Sequence, residues 1–434
     1  MAKLLAWKKQ AKRLPLILWG ARQVGKTWLL REFGRQYYAQ TVYVNFEEDA
    51  EVGDYFQKTL NPHKLIASLS RFYHCAIDPQ NTLIIFDEIQ ECPRAKNSLK
   101  YFAEDAPEYH IVAAGSFLGV ATGKAPVGKV NNLTLYPLTF YEFLEALGRA
   151  DILETILARD VEVLNNLDPE LRKLLWTYFY VGGMPFAVDT YIAAKGDLAA
   201  VRQAQKDIIK ICNGDFSHHI YPYDISKVRM LWASIPLHLG REKKKFIYKD
   251  IKEGARAADY KDALRWLLDT GLVYRVSRIS TPALPLVRNP EREVFKIFLF
   301  DIGILGAMFK FEIDTFEVSN PKMVGDLKGA MTEQFVCQEL QAIYQDHLFY
   351  WGRDKAAAEL DFLLQDRNLV VPIEAKANLN TKAKSMAYYL KAYQPSLAIK
   401  TSLCQYRFDP PVLSLPLYMI GSAHEIIASL KLTN

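Results

Sequence analysis

The first third of the chain alternates short apolar runs with longer segments of helical periodicity. Each run has the length of one strand, and a polar loop and a periodic segment follow it. Parallel strands need such crossover connections, so the order predicts a parallel sheet with helices on its faces. The predicted strands are Leu16–Trp19, Thr41–Asn45, Thr82–Asp87, Tyr109–Ala114 and Thr134–Leu138.

The pattern becomes helical in the middle of the chain. Residues 151–240 show long helical periodicities that are interrupted at Val181-Gly182-Gly183-Met184-Pro185, and they predict a mostly helical region. Residues 241–310 predict a small unit of one helix, Lys261–Asp269, and two strands, Leu272–Ser277 and Val294–Phe300.

From about residue 325 the sequence returns to an α/β pattern. Two helices are expected, at Lys328–Tyr344 and Lys382–Tyr393. The expected strands are Leu348–Trp351, Leu360–Gln365, Val370–Lys376, Ala398–Ser402 and Leu415–Ile420. The fold class predicted for the whole chain is therefore α/β.

Length and composition fit this reading. A chain of 434 residues corresponds to about three domains, and 50% hydrophobic with 24% charged residues excludes a disordered, collagen-like or coiled-coil protein. The net charge of +5 requires any nucleic-acid surface to be local. The five cysteines are isolated, which argues against a zinc cage and a disulfide scaffold and favours a reducing compartment. The start of the chain lacks the apolar stretch of a signal peptide, and no uncharged segment is long enough to span a bilayer. We therefore expect a cytoplasmic protein without a membrane partner.

A phosphate-binding loop follows the first predicted strand. Residues 20–27 fit G-x-x-x-x-G-K-[ST] between a strand and a helix, the context in which backbone amides surround phosphates. Lys26 is expected at the β- and γ-phosphates of ATP, and the Thr27 hydroxyl on Mg²⁺. The alternative is a chance match in a turn. The predicted nucleotide-binding residues are Gly20, Ala21, Arg22, Gln23, Val24, Gly25, Lys26, Thr27, Trp28 and Ser116.

Acidic residues end the third predicted strand. Asp87 is expected to hold Mg²⁺ through water, and Glu88 to polarise the attacking water as a catalytic residue. Two acids after a strand are by themselves weak evidence, because many strands end in solvated carboxylates. Ser116, after the fourth strand, is predicted to contact the γ-phosphate or this water, with a plain loop serine as the alternative.

These motifs resemble those of the prokaryotic AAA-superfamily ATPases, and more narrowly the group with a C-terminal domain of long-unknown function. The resemblance implies an ATPase core over 1–150, a helical lid over 151–240, a winged-helix-like segment over 241–320 and a restriction-endonuclease-like domain over 321–434. Gly128-Lys129 departs from the Gly-Arg of the group, so no arginine finger is named. The segments that carry the resemblance are Arg22–Thr27, Asp87–Gln90, Gly115–Ser116, Leu135–Phe143, Gly182–Pro185 and Phe295–Gly303.

A second candidate site lies near the C-terminus. Glu374 and Lys376 share one face of a predicted strand, and Asp361 lies on the strand before it. The set resembles the PD-(D/E)-x-K nuclease pattern, with Asp361, Glu374 and Lys376 as catalytic residues. Glu333 on the preceding helix matches the acid that completes the metal set with Asp361 and Glu374. The alternative is a solvated strand face with a weak ion pair.

The two sites and one basic segment indicate which partners to expect. Residues 241–256 carry seven basic and three acidic residues, so they are a candidate contact for the DNA backbone, or else a solvated helix end. We expect an Mg²⁺-dependent ATPase coupled to a nuclease-like domain that acts on DNA. The alternative is an ATP-gated DNA- or protein-binding module without C-terminal catalysis. The sequence leaves open whether the chain forms an oligomer or has a protein partner.

Overall fold

We describe a computed structural model of the chain. It covers residues 1–116, 128–219, 222–241, 244–313, 321–345, 347–353, 358–377 and 384–430. The chain divides into two compact units: Met1–Tyr136 with Asp269–Gly271, and Pro137–Leu268 with Leu272–Asn434. Within the described residues, no helix combines the length and apolar character needed to cross a membrane.

The first unit contains a five-stranded parallel sheet with the strand order β2-β3-β4-β1-β5. The strands are β1 (Leu16–Gly20), β2 (Gln40–Asn45), β3 (Thr82–Asp87), β4 (His110–Ser116) and β5 (Asn131–Thr134). The helices of this unit are Ala2–Lys8, Lys26–Tyr37, Ala50–Lys58, Pro62–Phe72 and Pro93–Asp105. This is the doubly covered parallel sheet of a P-loop NTPase fold, and the predicted fold class is confirmed.

Alternate residues of the strands pack into two separate apolar clusters. Ile17 and Trp19 of β1 belong to one cluster, whereas Leu16 and Leu18 belong to the other. Because side chains alternate across a strand, the sheet is buried on both faces, and this explains why its strands read as continuous apolar runs. Each fully buried large side chain contributes about 1.5–3 kcal/mol of transfer free energy.

The position predicted for the fifth strand, Thr134–Leu138, is wrong. The strand is Asn131–Thr134, paired in parallel with β1. Leu135 still donates its N–H to the carbonyl oxygen of Trp19 at 2.7 Å, but Pro137 two residues later has no N–H for a ladder. Two asparagines start the strand, and one of them, Asn132, accepts a hydrogen bond from the Trp19 indole at 2.8 Å. Because this edge strand begins with polar residues, no apolar run in the sequence indicated where it starts.

The described residues between Phe140 and Leu239 are mostly helical, which confirms the helical character predicted for 151–240, and one more helix follows at Ala257–Asp269. The helices are Phe140–Ala146, Ala150–Ala158, Val161–Val181, Pro185–Ala193, Leu198–His219, Pro222–Leu239 and Ala257–Asp269. The interruption expected at the glycine pair is present, since Gly182 has φ +79 and ends the long helix.

The second unit contains an eight-stranded mixed sheet with the order β12-β13-β11-β10-β9-β8-β6-β7. Its strands are β6 (Val273–Ile279), β7 (Glu291–Leu299), β8 (Leu348–Arg353), β9 (Ala358–Asp366), β10 (Leu369–Ala375), β11 (Ala398–Ser402), β12 (Arg407–Asp409) and β13 (Val412–Pro416). Further helices are Ile302–Phe309, Pro321–Tyr344, Lys384–Tyr393 and Ala423–Ser429.

Strands β6 and β7 belong to the same sheet as the C-terminal strands. β6 pairs in parallel with β8, from Val276 opposite Leu348 to Ile279 opposite Trp351. The hairpin expected in the winged-helix-like segment therefore shares a sheet with strands of the range 321–434. The domain ranges 1–150, 151–240, 241–320 and 321–434 remain predictions. The strand expected at Leu415–Ile420 ends at Pro416, and a 3₁₀ turn over Leu417–Ser422 follows it.

Three of the motifs that carry the resemblance meet inside the second unit. Leu138 donates its N–H to the Gly183 carbonyl at 2.7 Å, and its own carbonyl accepts from the Tyr178 hydroxyl at 2.5 Å. The Asp301 carboxylate accepts from the N–H groups of Gly183 at 2.7 Å and Ile304 at 2.9 Å. A Cβ on Gly183 would lie 2.0 Å from the Leu138 oxygen, so only glycine fits there.

A buried carboxylate completes this region. Glu339 accepts the N–H of Phe140 at 2.8 Å, at the start of the helix Phe140–Ala146. Burial raises the pKa of Glu339 to about 8, although the bond from Phe140 opposes the shift. This helix also has a capping box between Thr139 and Glu142, which satisfies further N–H groups of its first turn.

Candidate functional site

The first candidate site is the loop between β1 and the helix Lys26–Tyr37. Gly25 precedes the helix with φ +93, and Gln23 also has a positive φ of 64. Gly20 lies against the neighbouring chain, since a Cβ there would be 2.5 Å from the Leu135 oxygen. The loop therefore needs both glycines of the motif, one for its φ and the other for close packing.

The Lys26 side chain lies inside this loop and is only 8% exposed. Its Nζ donates to the carbonyl oxygens of Gly20 at 3.1 Å and Ala21 at 2.9 Å. Burial lowers the pKa of Lys26 to about 8, and the charges of Glu88 and Asp87 oppose the shift. The structure thus places an ammonium group at the N-terminus of a helix, where anions are favoured.

Thr27 and Asp87 meet at the carboxyl end of β3. The Thr27 hydroxyl donates to Asp87 Oδ2 at 2.7 Å, and the Glu88 N–H donates to Asp87 Oδ1 at 3.0 Å. A hydroxyl and a carboxylate at this distance are the oxygen ligands that Mg²⁺ uses, directly and through water. The two residues predicted for Mg²⁺ in this unit therefore lie together, and they fit the ion.

Tyr43 is a third donor to Asp87 that the sequence did not reveal. Its hydroxyl lies 2.8 Å from Asp87 Oδ2, the same oxygen that accepts from Thr27. The guanidinium of Arg31 covers the Tyr43 ring at 3.9 Å. Burial and the bond to Asp87 raise the pKa of Tyr43 above its ordinary value. Tyr43 lies on β2, and only the pairing of β2 with β3 brings it to the site.

The other predicted residues of this site have varied surroundings. Glu88 has φ 48, and its Oε2 accepts from the Gln90 amide at 2.5 Å. Ser116 ends β4 opposite Gly20 of β1, and its side chain lies outside the described residues. Trp28 turns its side chain outward and is 69% exposed. Lys129, where the group has arginine, pairs with Glu104 at 3.0 Å on the surface.

The second candidate site brings together three of the residues predicted for it. Asp361 of β9 and Glu374 of β10 flank the antiparallel pair of Phe362 with Ile373. Asp361 Oδ2 accepts the N–H of Ala375 at 2.8 Å. Lys376 Nζ lies 3.1 Å from Glu374 Oε1. The two carboxylates are buried, so the solvated strand face weighed as the alternative does not describe them.

Glu333, the fourth predicted residue, is engaged by two lysines. Lys244 Nζ lies 2.5 Å from Glu333 Oε1, and Lys296 Nζ lies 3.6 Å from Glu333 Oε2. Lys296 also pairs with Glu359 Oε1 at 2.6 Å. Neither Lys296 nor Glu359 was predicted from the sequence to belong to this site. The available signal was a single lysine in the apolar run Val294–Phe300, which is costly to bury unless paired.

The charges of these buried side chains change one another's pKa values. Burial opposes ionisation of Glu333, but Lys244 and Lys296 outweigh it and hold the pKa of Glu333 below its usual range. Burial and the charge of Glu333 together raise the pKa of Asp361. Lys296 is buried as well, yet Glu333 and Glu359 raise its pKa, so it stays charged. The ammonium groups therefore stabilise the ionised state of Glu333.

This arrangement does not fit the implied divalent cation. Among the described residues, no three His, Cys, Asp or Glu side chains gather closely enough to hold a metal ion. Asp361 and Glu374 lie on neighbouring strands, but Glu333 pairs with ammonium groups instead of joining them as a third ligand.

The basic segment 241–256 is only partly free to meet a polyanion. Arg241 pairs with Asp250, and Lys244 is buried against Glu333. Glu242 and Lys243 lie outside the described residues. The exposed basic residues of the segment are Lys245, Lys249, Lys252 and Arg256.

Comparison with solved structures gives distant likenesses. The Walker-type ATPase paby2304 of Pyrococcus abyssi is 15% identical, with 71% of this chain and 94% of that chain covered and a TM-score of 0.44. A RuvB variant of Thermotoga maritima is 15% identical, with 65% and 88% covered and a TM-score of 0.30. Drosophila ORC bound to DNA is 13% identical, with 72% and 94% covered and a TM-score of 0.27. Because all three TM-scores lie below 0.5, these likenesses assign no role to any residue.

Family models cover three segments of the chain. Residues 172–315 match a domain of unknown function (DUF8612), and residues 328–418 match another (DUF4143). The comparison with curated proteins finds no match. Residues 12–144 match the AAA domain, over the segment that holds the phosphate-binding loop, Asp87 and Glu88. The chain thus carries an AAA-type ATPase domain with a P-loop fold at its N-terminal end, followed by a separate mixed-sheet α/β domain.

Proposed function

We propose that this protein binds ATP with Mg²⁺ at the loop 20–27 and hydrolyses it. The observation that carries the proposal is the 2.7 Å bond between the Thr27 hydroxyl and Asp87, beside the buried ammonium of Lys26. A phosphate chain in the loop would replace the two carbonyl oxygens that now accept from Lys26. Hydroxyl, carboxylate and ammonium then occupy the places that phosphoryl transfer requires.

Each residue has a role in this proposal. The amides of the loop bind the phosphates, and Lys26 neutralises charge on the β- and γ-phosphates. Thr27 and Asp87 would hold Mg²⁺, and the ion would supply positive charge that offsets the negative charge developing during transfer. Glu88 orients and polarises the attacking water. Ser116 contacts this water or the γ-phosphate from the end of β4.

The test is ATP binding and turnover in Lys26→Ala. Binding is measured by calorimetry and turnover by phosphate release, each with Mg²⁺ and with a chelator. We expect turnover to fall by a factor on the order of 10² or more, because the only ammonium at the motif is removed. The matched control is Lys64→Ala, an exposed lysine of the helix Pro62–Phe72. Unchanged turnover in Lys26→Ala would overturn the proposal.

For the second unit the proposal has two forms. In the first, Asp361, Glu374 and Lys376 cleave nucleic acid under the control of the ATPase. In the second, the unit is a non-catalytic platform that binds DNA or protein in response to ATP. The pairing of Glu333 with two lysines favours the second form, because it leaves this carboxylate unavailable to a divalent cation.

The two forms differ in a DNA assay. Linear and plasmid DNA are incubated with the full chain and Mg²⁺ or Mn²⁺, with and without ATP. Retention of DNA without cleavage supports the platform. Metal-dependent cleavage that disappears in Asp361→Ala supports the nuclease. Cleavage that persists in Asp361→Ala would show that the activity does not come from this site.

A further inference from the structure

The resemblance implies a divalent cation among the carboxylates of the second unit, but the structure places an ammonium group there. We propose that Lys244 is a built-in cation, which takes the place of a divalent ion at Glu333 and keeps the site closed. The inference concerns the state of this site and extends the proposal for the second unit. It does not depend on ATP hydrolysis.

The contact between Lys244 and Glu333 is short and shielded from water. The two side chains are 9% and 10% exposed, and Nζ lies 2.5 Å from Oε1. Breaking such a pair would leave one buried charge uncompensated, which is strongly unfavourable. An incoming cation must therefore displace Lys244 rather than bind beside it.

The charge balance of the cluster supports this assignment. Four carboxylates face three ammonium groups, so the cluster carries one negative charge in excess when every group is ionised. Removing Lys244 raises the excess to two, the charge that a divalent ion neutralises. The groups counted are Glu333, Glu359, Asp361 and Glu374 against Lys244, Lys296 and Lys376.

Two buried carboxylate oxygens of the cluster accept no hydrogen bond within the part of the chain that the structure describes. Neither Glu333 Oε2 nor Glu374 Oε2 accepts a hydrogen bond from the described residues. Counted over the whole residue, Glu333 is 8% exposed and Glu374 is 3% exposed. Buried acceptors without a hydrogen bond are rare, and each calls for a specific explanation, such as a water molecule, an ion or a functional role.

The backbone segment that carries Lys244 can move away from Glu333 more readily than the strand that carries Lys296. Lys296 lies in the middle of β7, where it is paired with Val276 of β6. Lys244 lies in a stretch without helix or strand. That stretch is held by the N–H of Phe246, which donates to Phe295 at 2.8 Å, and by the carbonyl of Ile247, 3.0 Å from a ring nitrogen of His238. A shift of this stretch would withdraw Lys244 without disrupting the sheet.

Binding of Mn²⁺ tests the assignment without any measurement of activity. Nucleotide-free full-length protein is titrated with Mn²⁺, and free Mn²⁺ is followed by electron paramagnetic resonance. In Lys244→Met we expect affinity to rise by a factor of about 10 to 100 over the wild type. The gain should disappear in the double variant with Asp361→Asn. The exposed neighbour is the matched control, and Lys245→Met should leave the titration unchanged.

Two results would overturn the assignment. One is that the wild type binds Mn²⁺ as tightly as Lys244→Met does, at a site that Asp361→Asn removes. The other is a folded Lys244→Met that gains no affinity. If Lys244→Met does not fold, the wild-type titration with and without Asp361→Asn still decides, since a tight Asp361-dependent Mn²⁺ site in the wild type would contradict the proposal. Because nucleotide is absent, failure of the ATPase proposal would leave this result unaffected.

Discussion

The hydroxyl of Tyr43 provides a specific test of how the magnesium carboxylate is held. In Tyr43→Phe, Asp87 Oδ2 keeps the bond from Thr27 at 2.7 Å and loses the bond from Tyr43 at 2.8 Å. A hydrogen bond to a charged group contributes about 1.5–3 kcal/mol. If all of it were lost in the transition state, kcat would fall by about 10- to 150-fold. Tyr43 is half-buried, so we expect the lower end of this range, near tenfold.

Steady-state kinetics distinguish the loss of a bond that positions Asp87 from a general loss of active protein. The KM for ATP should stay unchanged, because the loop amides and Lys26 bind the phosphates, while the Mg²⁺ concentration for half-maximal rate should rise. Tyr73→Phe is the matched control, since its hydroxyl donates to Asp49 at 2.9 Å and does not touch Asp87. Unchanged kcat in Tyr43→Phe, or an equal loss in Tyr73→Phe, would refute the positioning role.

Three further predictions concern stability and the loop. Gly183→Ala should lower the Tm strongly, because its Cβ would lie 2.0 Å from the Leu138 oxygen, whereas Gly214→Ala in an open helical position should hold or raise it. Glu339→Gln should raise the Tm at pH 8 more than at pH 5: the raised pKa, about 8 in the folded state, makes stability fall as pH increases from about 4.5 towards 8. Gly20→Ala should weaken ATP binding in calorimetry, since its Cβ would lie 2.5 Å from the Leu135 oxygen. Unchanged melting curves or unchanged binding heats, respectively, would contradict these expectations.

The sequence located the strands that have apolar runs, and it misplaced or missed two short polar strands at sheet edges. Thr82–Asp87 and Ala398–Ser402 have the predicted bounds: the first is buried along its whole length, and the second is buried except at Lys400. Asn131–Thr134 starts with two asparagines at the edge of its sheet, and Arg407–Asp409 is a short polar edge strand that was not predicted. At an edge, backbone pairing sets the strand, and side-chain hydropathy carries little of that information.

The residues of the candidate sites also differ in how far the sequence could predict them. The loop 20–27 is contiguous, so its residue types and spacing were enough to place Lys26 and Thr27. Lys244 reaches Glu333 across 89 positions of sequence, and Tyr43 reaches Asp87 across 44. Such pairs depend on strand order and on the packing of the helix Pro321–Tyr344, which no local pattern encodes.

The sharing of one sheet by β6, β7 and the C-terminal strands decides how this protein can be cut into pieces. A fragment that starts at residue 321 would lack β6, which pairs with β8 from Val276 opposite Leu348 to Ile279 opposite Trp351, and would also lack β7, which pairs with β6. The row of N–H and C=O groups left open on β8 is a template for pairing with other chains. Such a fragment should aggregate, whereas expression from residue 137 onward retains every strand of the sheet.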